Sequence, residues 1–238
     1  MRPSLLARQA LAEFLGSAGL VAVVIGSGIA ASRLSTDTGL QLLENALVTG
    51  AGLMALILAF GPVSGGHFNP VITLADRLLG GAGNRQVAAY LPAQLAGGAL
   101  GAVLANLMFG LPAIEIARHE RTSAGLWLSE VLATAGLVVL VFALVRSGRA
   151  ALAPFAVGAY IAAAYWWSSS TSFANPMIDV ARTLSDTFAG IAPSSVPAFV
   201  VAQLIGGALG LGAVVLLYPS VAADAGDVVV PHPAEEPS

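Results

Sequence analysis

Two short stretches decide how this chain is built: Ser64-Gly65-Gly66-His67-Phe68-Asn69-Pro70-Val71-Ile72-Thr73 and Asn175-Pro176-Met177-Ile178-Asp179. In each, an asparagine precedes a proline. Asparagine is a favoured N-cap and proline a favoured first helical residue, so each pair reads as a helix start. The apolar stretches that follow are short, Pro70 to about Leu79 and Pro176 to about Phe188. Neither reaches the roughly 20 residues that cross the hydrocarbon of a bilayer. Each is entered through a loop rich in glycine, serine and threonine, residues 64–67 and 168–172. Irregular backbone survives at membrane depth only beside protein or water. Two half-helices therefore imply a polar path.

The rest of the chain supplies the membrane context. Of 238 residues, 57% are hydrophobic and only 10% charged, too few charges to clothe a soluble surface. The net charge of −3 gives no electrostatic footprint for nucleic acid. Cysteine is absent, which excludes disulfides, thiolate metal sites and cysteine nucleophiles. Six segments are long and apolar enough to span: about 9–31, 44–62, 87–109, 126–145, 151–168 and 196–218. The first is longer than a signal-peptide core and further spans follow it, so it is read as a span. Arg2, Arg8, Arg77, Arg85, Arg146 and Arg149 flank the N-terminus and the even-numbered loops; Arg33, Arg118, Arg121 and Arg182 lie in the odd-numbered ones. That bias predicts both termini in the cytoplasm. Residues 219–238, with Asp224, Asp227, Glu235, Glu236 and several prolines, read as a disordered cytoplasmic tail.

The chain is also written twice. Glu13-Phe14-Leu15-Gly16 through Val21 is answered by Glu130-Val131-Leu132-Ala133 through Val138, and Gln94 through Gly101 by Gln203 through Gly210. With the two Asn-Pro pairs, three matches fall in the same order at nearly constant spacing. Three spans per repeat is an odd number, so the halves enter the membrane from opposite sides, with a solute path where they meet. The expected domain is a single unit over 1–218, with repeat 1 at about 9–109 and repeat 2 at about 126–218. Gly97 with Gly101, and Gly206 with Gly210, are spaced four apart and form faces for close helix contact. Two half-helices meeting at the centre bring their partial positive charges there, and the Asn69 and Asn175 amides add donors for a solute oxygen. Such a centre repels cations and accepts neutral, oxygen-bearing solutes. Glu13 and Glu130 sit at equivalent positions inside spans. Each is read as an acceptor for the backbone N–H groups of a re-entrant loop, with proton transport the alternative.

The first stretch, Ser64 to Thr73, resembles the first signature of the major intrinsic protein (aquaporin) family, and Asn175-Pro176 resembles the start of the second. The resemblance covers about residues 9–218. It implies an all-α membrane protein, an aquaporin-like inverted repeat of six transmembrane helices plus two re-entrant half-helices, with one pore per subunit and a homotetramer. It also places Asn69, Asn175, Pro70, Pro176, Val71 and Met177 at the pore centre, the last two where the family usually has alanine. By its spacings Thr49, Ala163, Ser172 and Ile178 fall at the selectivity filter. Ile178 stands where the family typically has an arginine, so the expected filter is wide, partly apolar, and lacks ring and charge. Asp179 occupies a position at which glycerol-conducting members often carry aspartate. His67 is expected at the pore approach or in a plain loop hydrogen bond. Asp179, Arg182 and Asp186 are spaced to pair along the second half-helix, which makes Arg182 part of a vestibule salt bridge; a stand-in for the filter arginine is the other use open to it.

These readings converge on a passive channel in the inner (plasma) membrane for small uncharged solutes and water. Candidate solutes are glycerol-like polyols, urea and metalloid acids such as arsenite. A strictly water-selective channel, a proton-coupled transporter and a non-conducting scaffold are the competing classes. Lipid, small neutral solutes and water are the expected partners; no cofactor, metal, nucleic acid or catalytic constellation is expected.

Overall fold

The computed structural model describes residues 4–218; the expected tail at 219–238 lies outside them. Among the described residues eight α-helices follow in order: α1 (Leu5–Leu34), α2 (Thr38–Ser64), α3 (Pro70–Leu79), α4 (Asn84–Met108), α5 (Ala124–Arg146), α6 (Ala153–Trp167), α7 (Pro176–Arg182) and α8 (Val196–Leu217). Six helical segments are long and apolar enough to cross a membrane, and each contains or closely matches one of the six spans read from sequence. The chain is a multi-pass membrane protein. Its outer faces are apolar too, with Leu58, Leu132 and Leu209 exposed where lipid would lie.

The duplication is visible in the packing. α1 packs chiefly on α4, and its counterpart α5 on α8. The glycines that make these contacts are the repeated ones. A Cβ on Gly97 would stand 2.1 Å from the Phe14 carbonyl oxygen, and one on Gly101 2.2 Å from that of Ala18. The equivalent distances are 2.4 Å from Gly206 to the Val131 oxygen and 2.6 Å from Gly210 to the Ala135 oxygen. Backbone meets backbone at all four, so only glycine fits.

The half-helices cross between repeats: α3 packs on α4 and α8, α7 on α8 and α4. Asn69 and Asn175 are their N-caps, each side-chain oxygen accepting the N–H two residues on, from Val71 at 2.9 Å and Met177 at 3.0 Å. Pro70 and Pro176 occupy the first helical positions.

The second half-helix is shorter than its composition suggests. It ends at Arg182 rather than near Phe188. A continuing helix would need the carbonyls of Thr183 and Leu184 for Thr187 and Phe188. Those carbonyls are taken instead by the inter-repeat connection: Ala117 N–H donates to Thr183 at 2.9 Å, Glu115 N–H to Leu184 at 3.1 Å, and the Asn106 amide also to Leu184 at 3.0 Å. Tertiary pairing overrides local helix formation there.

Candidate pore and its constriction

The two re-entrant loops are superimposable in their chemistry. Glu13, fully buried in α1, accepts from Ser64 Oγ (2.7 Å), His67 N (3.0 Å), Phe68 N (2.8 Å) and Gln94 Nε2 (2.7 Å). Glu130 in α5 accepts from Ser170 Oγ (2.6 Å), Phe173 N (2.9 Å), Ala174 N (2.8 Å) and Gln203 Nε2 (2.7 Å). The loop donors follow one another at the spacing that separates Asn69 from Asn175. Each carboxylate thus satisfies loop N–H groups that no ladder or helix could serve, the hydrogen bonding read from sequence. Phe68, Thr171, Ser172 and Ala174 have φ between 45° and 62°, a region costing a non-glycine residue about 1 kcal/mol or more. The carboxylates hold these loops in that shape.

The loops meet at the centre of the molecule. Asn69 Nδ2 donates to the Ala174 carbonyl at 2.8 Å, and Asn175 Nδ2 to the Phe68 carbonyl at 2.7 Å. An amide nitrogen carries two hydrogens. Each asparagine therefore locks the opposite loop with one and retains a second.

Both asparagines line a partly open cavity of about 60 Å³. One wall comes from the loops: Gly66, His67 and Phe68 with Asn69, and Ser172, Phe173 and Ala174 with Asn175. The helices contribute apolar side chains to the lining: Leu20 and Val24 of α1, Leu53 and Ile57 of α2, Leu137 and Val141 of α5, Val157 and Ile161 of α6. Thr49, Ser172 and Ile178 line it, and so do His67 and Arg182. His67 also makes a loop contact, its Nδ1 lying 3.0 Å from Thr73 Oγ1.

Four sequence expectations are corrected. Ala163 is exposed on the outer side of α6; the cavity-facing residues of that helix are Val157, Ile161 and Tyr165. A spacing carried across an irregular loop does not keep helical phase. Val71 and Met177 sit at the loop junction in sequence but point away from the cavity. Val71 lies against Gly207 and Met177 against Gly98, where an added Cβ would be 2.6 Å from Val71 Cγ1 and 2.5 Å from Met177 Sδ. The side chains larger than alanine are thus housed by glycines of the opposite repeat. Asp179 is fully buried off the cavity and accepts from Gln203 Nε2 at 3.1 Å, while Asp186 pairs with Arg118 at 2.7 Å; neither pairs with Arg182. The backbone N–H of Arg118 and then its guanidinium hold the Asp186 carboxyl below its ordinary range. Finally, the cavity end near Ser172 has both ring and charge: Tyr165, whose hydroxyl donates to Thr49 Oγ1 at 3.3 Å, and Arg182, whose guanidinium lies 3.6 Å from the centre of the Phe173 ring.

Tyr165 and Phe173 were not singled out from the sequence. Phe173 could have been found, since it answers His67 in the repeat; Tyr165 carries no such signal. Gln94 and Gln203 were read only as repeat markers, although both complete the carboxylate sites.

Six spans in two inverted repeats, with two asparagine-capped half-helices whose capping residues line one cavity, define a membrane channel. Comparison gives that class its family. The family model described as Major intrinsic protein matches residues 1–182, and the chain belongs to the major intrinsic protein family. It is 47% identical over 201 residues to the aquaglyceroporin AqpS of Rhizobium meliloti, covering 84% of this chain and 86% of that one. It is 32% identical over 260 residues to the glycerol uptake facilitator protein of Pseudomonas aeruginosa, covering 91% and 92%. Among solved structures, the aquaglyceroporin from Plasmodium falciparum shares the fold, with a TM-score of 0.69 at 18% identity over 91% of this chain and 98% of that one.

Proposed function

We propose that this chain is a passive channel for small uncharged solutes, conducting glycerol-like polyols, urea, undissociated metalloid acids such as arsenite, and water. The observation that carries the reading is the mixed lining of the cavity, polar loop groups together with apolar helix side chains. A polyol has a carbon face and a row of hydroxyls. Here Leu20, Val24, Leu137 and Val141 offer carbon surface in the same cavity as the loop backbone and the spare hydrogens of Asn69 and Asn175. A solute with oxygens on one side exchanges its hydration for fixed partners without losing hydrogen bonds, while its apolar side needs none. The likeness to the aquaglyceroporin of Rhizobium meliloti and the glycerol uptake facilitator of Pseudomonas aeruginosa supports glycerol among the solutes. The reading contains no catalytic step.

In this reading the protein sits in the inner (plasma) membrane as a homotetramer surrounded by lipid, with both termini and the 219–238 segment in the cytoplasm and no nucleic-acid partner. The arginine bias of the loops supports that orientation.

Stopped-flow light scattering of proteoliposomes tests the conduction. Vesicles containing the protein should reswell in glycerol and urea gradients much faster than empty vesicles, and arsenite should equilibrate without a pH gradient. Reswelling at the empty-vesicle rate for every solute, with fast water shrinkage, would identify a strictly water-selective channel instead. Flux driven by pH alone would identify a proton-coupled transporter.

A further inference from the structure

A guanidinium buried within a membrane protein is costly unless something answers its charge. Arg182 is only 3% exposed and lines the cavity, yet no carboxylate oxygen lies within 4.0 Å of it among the described residues. The acids that could have served it are engaged elsewhere, Asp186 with Arg118 and Asp179 with Gln203. What holds Arg182 is neutral. Its Nε donates to the Ala189 carbonyl, and its central carbon Cζ lies over the Phe173 ring, 3.6 Å from the ring centre.

A second arginine secures that arrangement. The Gly190 carbonyl, next along the chain from Ala189, accepts from Arg121 Nε at 3.2 Å, and the Arg121 guanidinium lies 5.1 Å from the same Phe173 ring. Arg121 belongs to the connection between the repeats and is fastened there by its backbone N–H, which donates to Ser195 Oγ at 2.9 Å. Two consecutive carbonyls are thus gripped by two arginines that share one ring. The turn carrying them admits no side chain at Gly190, where a Cβ would stand 2.5 Å from the Ser185 carbonyl oxygen.

This leaves the working end of Arg182 free. A guanidinium has five N–H donors and no acceptor. Only Nε is bonded to protein among the described residues, and the two terminal nitrogens are not sealed from the cavity. Ile178, one turn earlier on α7, contributes an apolar surface to the same cavity.

We propose that Arg182 is the specificity-determining residue at this end of the cavity, and that Arg121 is a positioning residue that sets its aim. Arg182 presents its terminal N–H groups to the oxygens of a passing neutral solute, narrows the path against bulky polyols, and repels cations. Arg121 acts through the Gly190 carbonyl and the Phe173 ring. The assignment rests on the channel reading above and refines which solutes that channel admits.

The test uses the full chain in proteoliposomes, with four fluxes measured on each preparation: water, glycerol, sorbitol and methylammonium. Ratios between fluxes are the readout, because loss of folded protein lowers all four together. The unsubstituted protein should pass water and glycerol and exclude sorbitol and methylammonium. Arg182→Ala should raise sorbitol and methylammonium flux relative to water by about tenfold or more. Arg182→Lys keeps the charge but loses the planar stack and the fork of donors. It should still exclude methylammonium while admitting sorbitol, and it decides the matter if the alanine variant fails to insert. Arg121→Gln should change the glycerol-to-water ratio by about threefold or more, which a merely structural role would not do. Unchanged ratios in Arg182→Ala and Arg182→Lys would overturn the assignment of Arg182, and an unchanged ratio in Arg121→Gln that of Arg121. If the unsubstituted protein passes neither water nor glycerol, the channel reading itself fails.

Discussion

Replacing Glu130 by alanine probes the link between fold and pore most directly. The carboxylate is fully buried and accepts four hydrogen bonds, from Ser170, Phe173, Ala174 and Gln203. A buried donor stripped of its partner costs about 1–3 kcal/mol, more when the lost partner was charged. Phe173 and Ala174 border the cavity, so water can reach part of the loop and the lower end of that range applies. Four donors then give about 4 kcal/mol. The loop they hold carries Ser172 and Ala174 at positive φ and should relax once released, taking Asn175 with it. Thermal unfolding in detergent should show Glu130→Ala well below the unsubstituted protein, and reconstituted vesicles should lose glycerol flux. Glu130→Gln retains one acceptor oxygen and turns a donor toward the other pair, so about half the loss is expected, about 2 kcal/mol. Glu13→Ala should behave like Glu130→Ala, since its four bonds are the repeat equivalents. Unchanged unfolding and flux in Glu130→Ala would refute loop support. Unchanged unfolding with abolished flux in Glu130→Gln would point to a proton-carrying role instead.

Asn69→Leu and Asn175→Leu should each cut glycerol flux by about tenfold or more, because each removes both a lock on the opposite loop and a solute donor; wild-type flux in either would contradict the proposed centre. Ile178→Arg should slow glycerol more than water, since it places a long side chain in a cavity of about 60 Å³; an unchanged ratio in light scattering would count against Ile178 bordering the path. Gly98→Ala should destabilise by about 1–3 kcal/mol, the usual cost of overpacking, and Met177→Ala in the same chain should recover part of it, because the clash is with a thioether end. Gly97→Ala meets the Phe14 carbonyl and should have no such rescue; comparing unfolding temperatures of the three proteins checks this. The Asp186 carboxyl is depressed in the folded protein, so its contribution is present above the ordinary aspartate range and is lost as pH falls through its folded value. Limited proteolysis of residues 110–123 should therefore quicken in acid, and Asp186→Asn should show that faster cleavage already at neutral pH.

The sequence by itself determined the architecture. Span length, the two Asn-Pro helix starts and the repeated Glu, Gln and Gly positions are local or periodic features, and each has one physical solution in a bilayer. A short apolar stretch capped by Asn-Pro can only be a half-helix, and a glycine pair four apart marks a helix contact. An intramembrane glutamate must find donors, and the nearest unserved ones are those of the re-entrant loop. Only the tertiary structure decided what faces the cavity. Ala163 was misplaced because counting through residues 168–175 assumes a helical phase that the positive-φ backbone abolishes. Val71 and Met177 turn away because glycines on distant helices, Gly207 and Gly98, leave room there. The second half-helix stops at Arg182 because the connection between the repeats takes its next carbonyls; Asp186, beyond that stop, pairs with Arg118, and Asp179 is taken by Gln203. Its neighbours Phe173, Ala189 and Arg121 come from three separate segments brought together by packing, so the spacing along the chain left both a vestibule salt bridge and a stand-in for the filter arginine open to Arg182, and only the packing shows that it borders the cavity without a carboxylate partner.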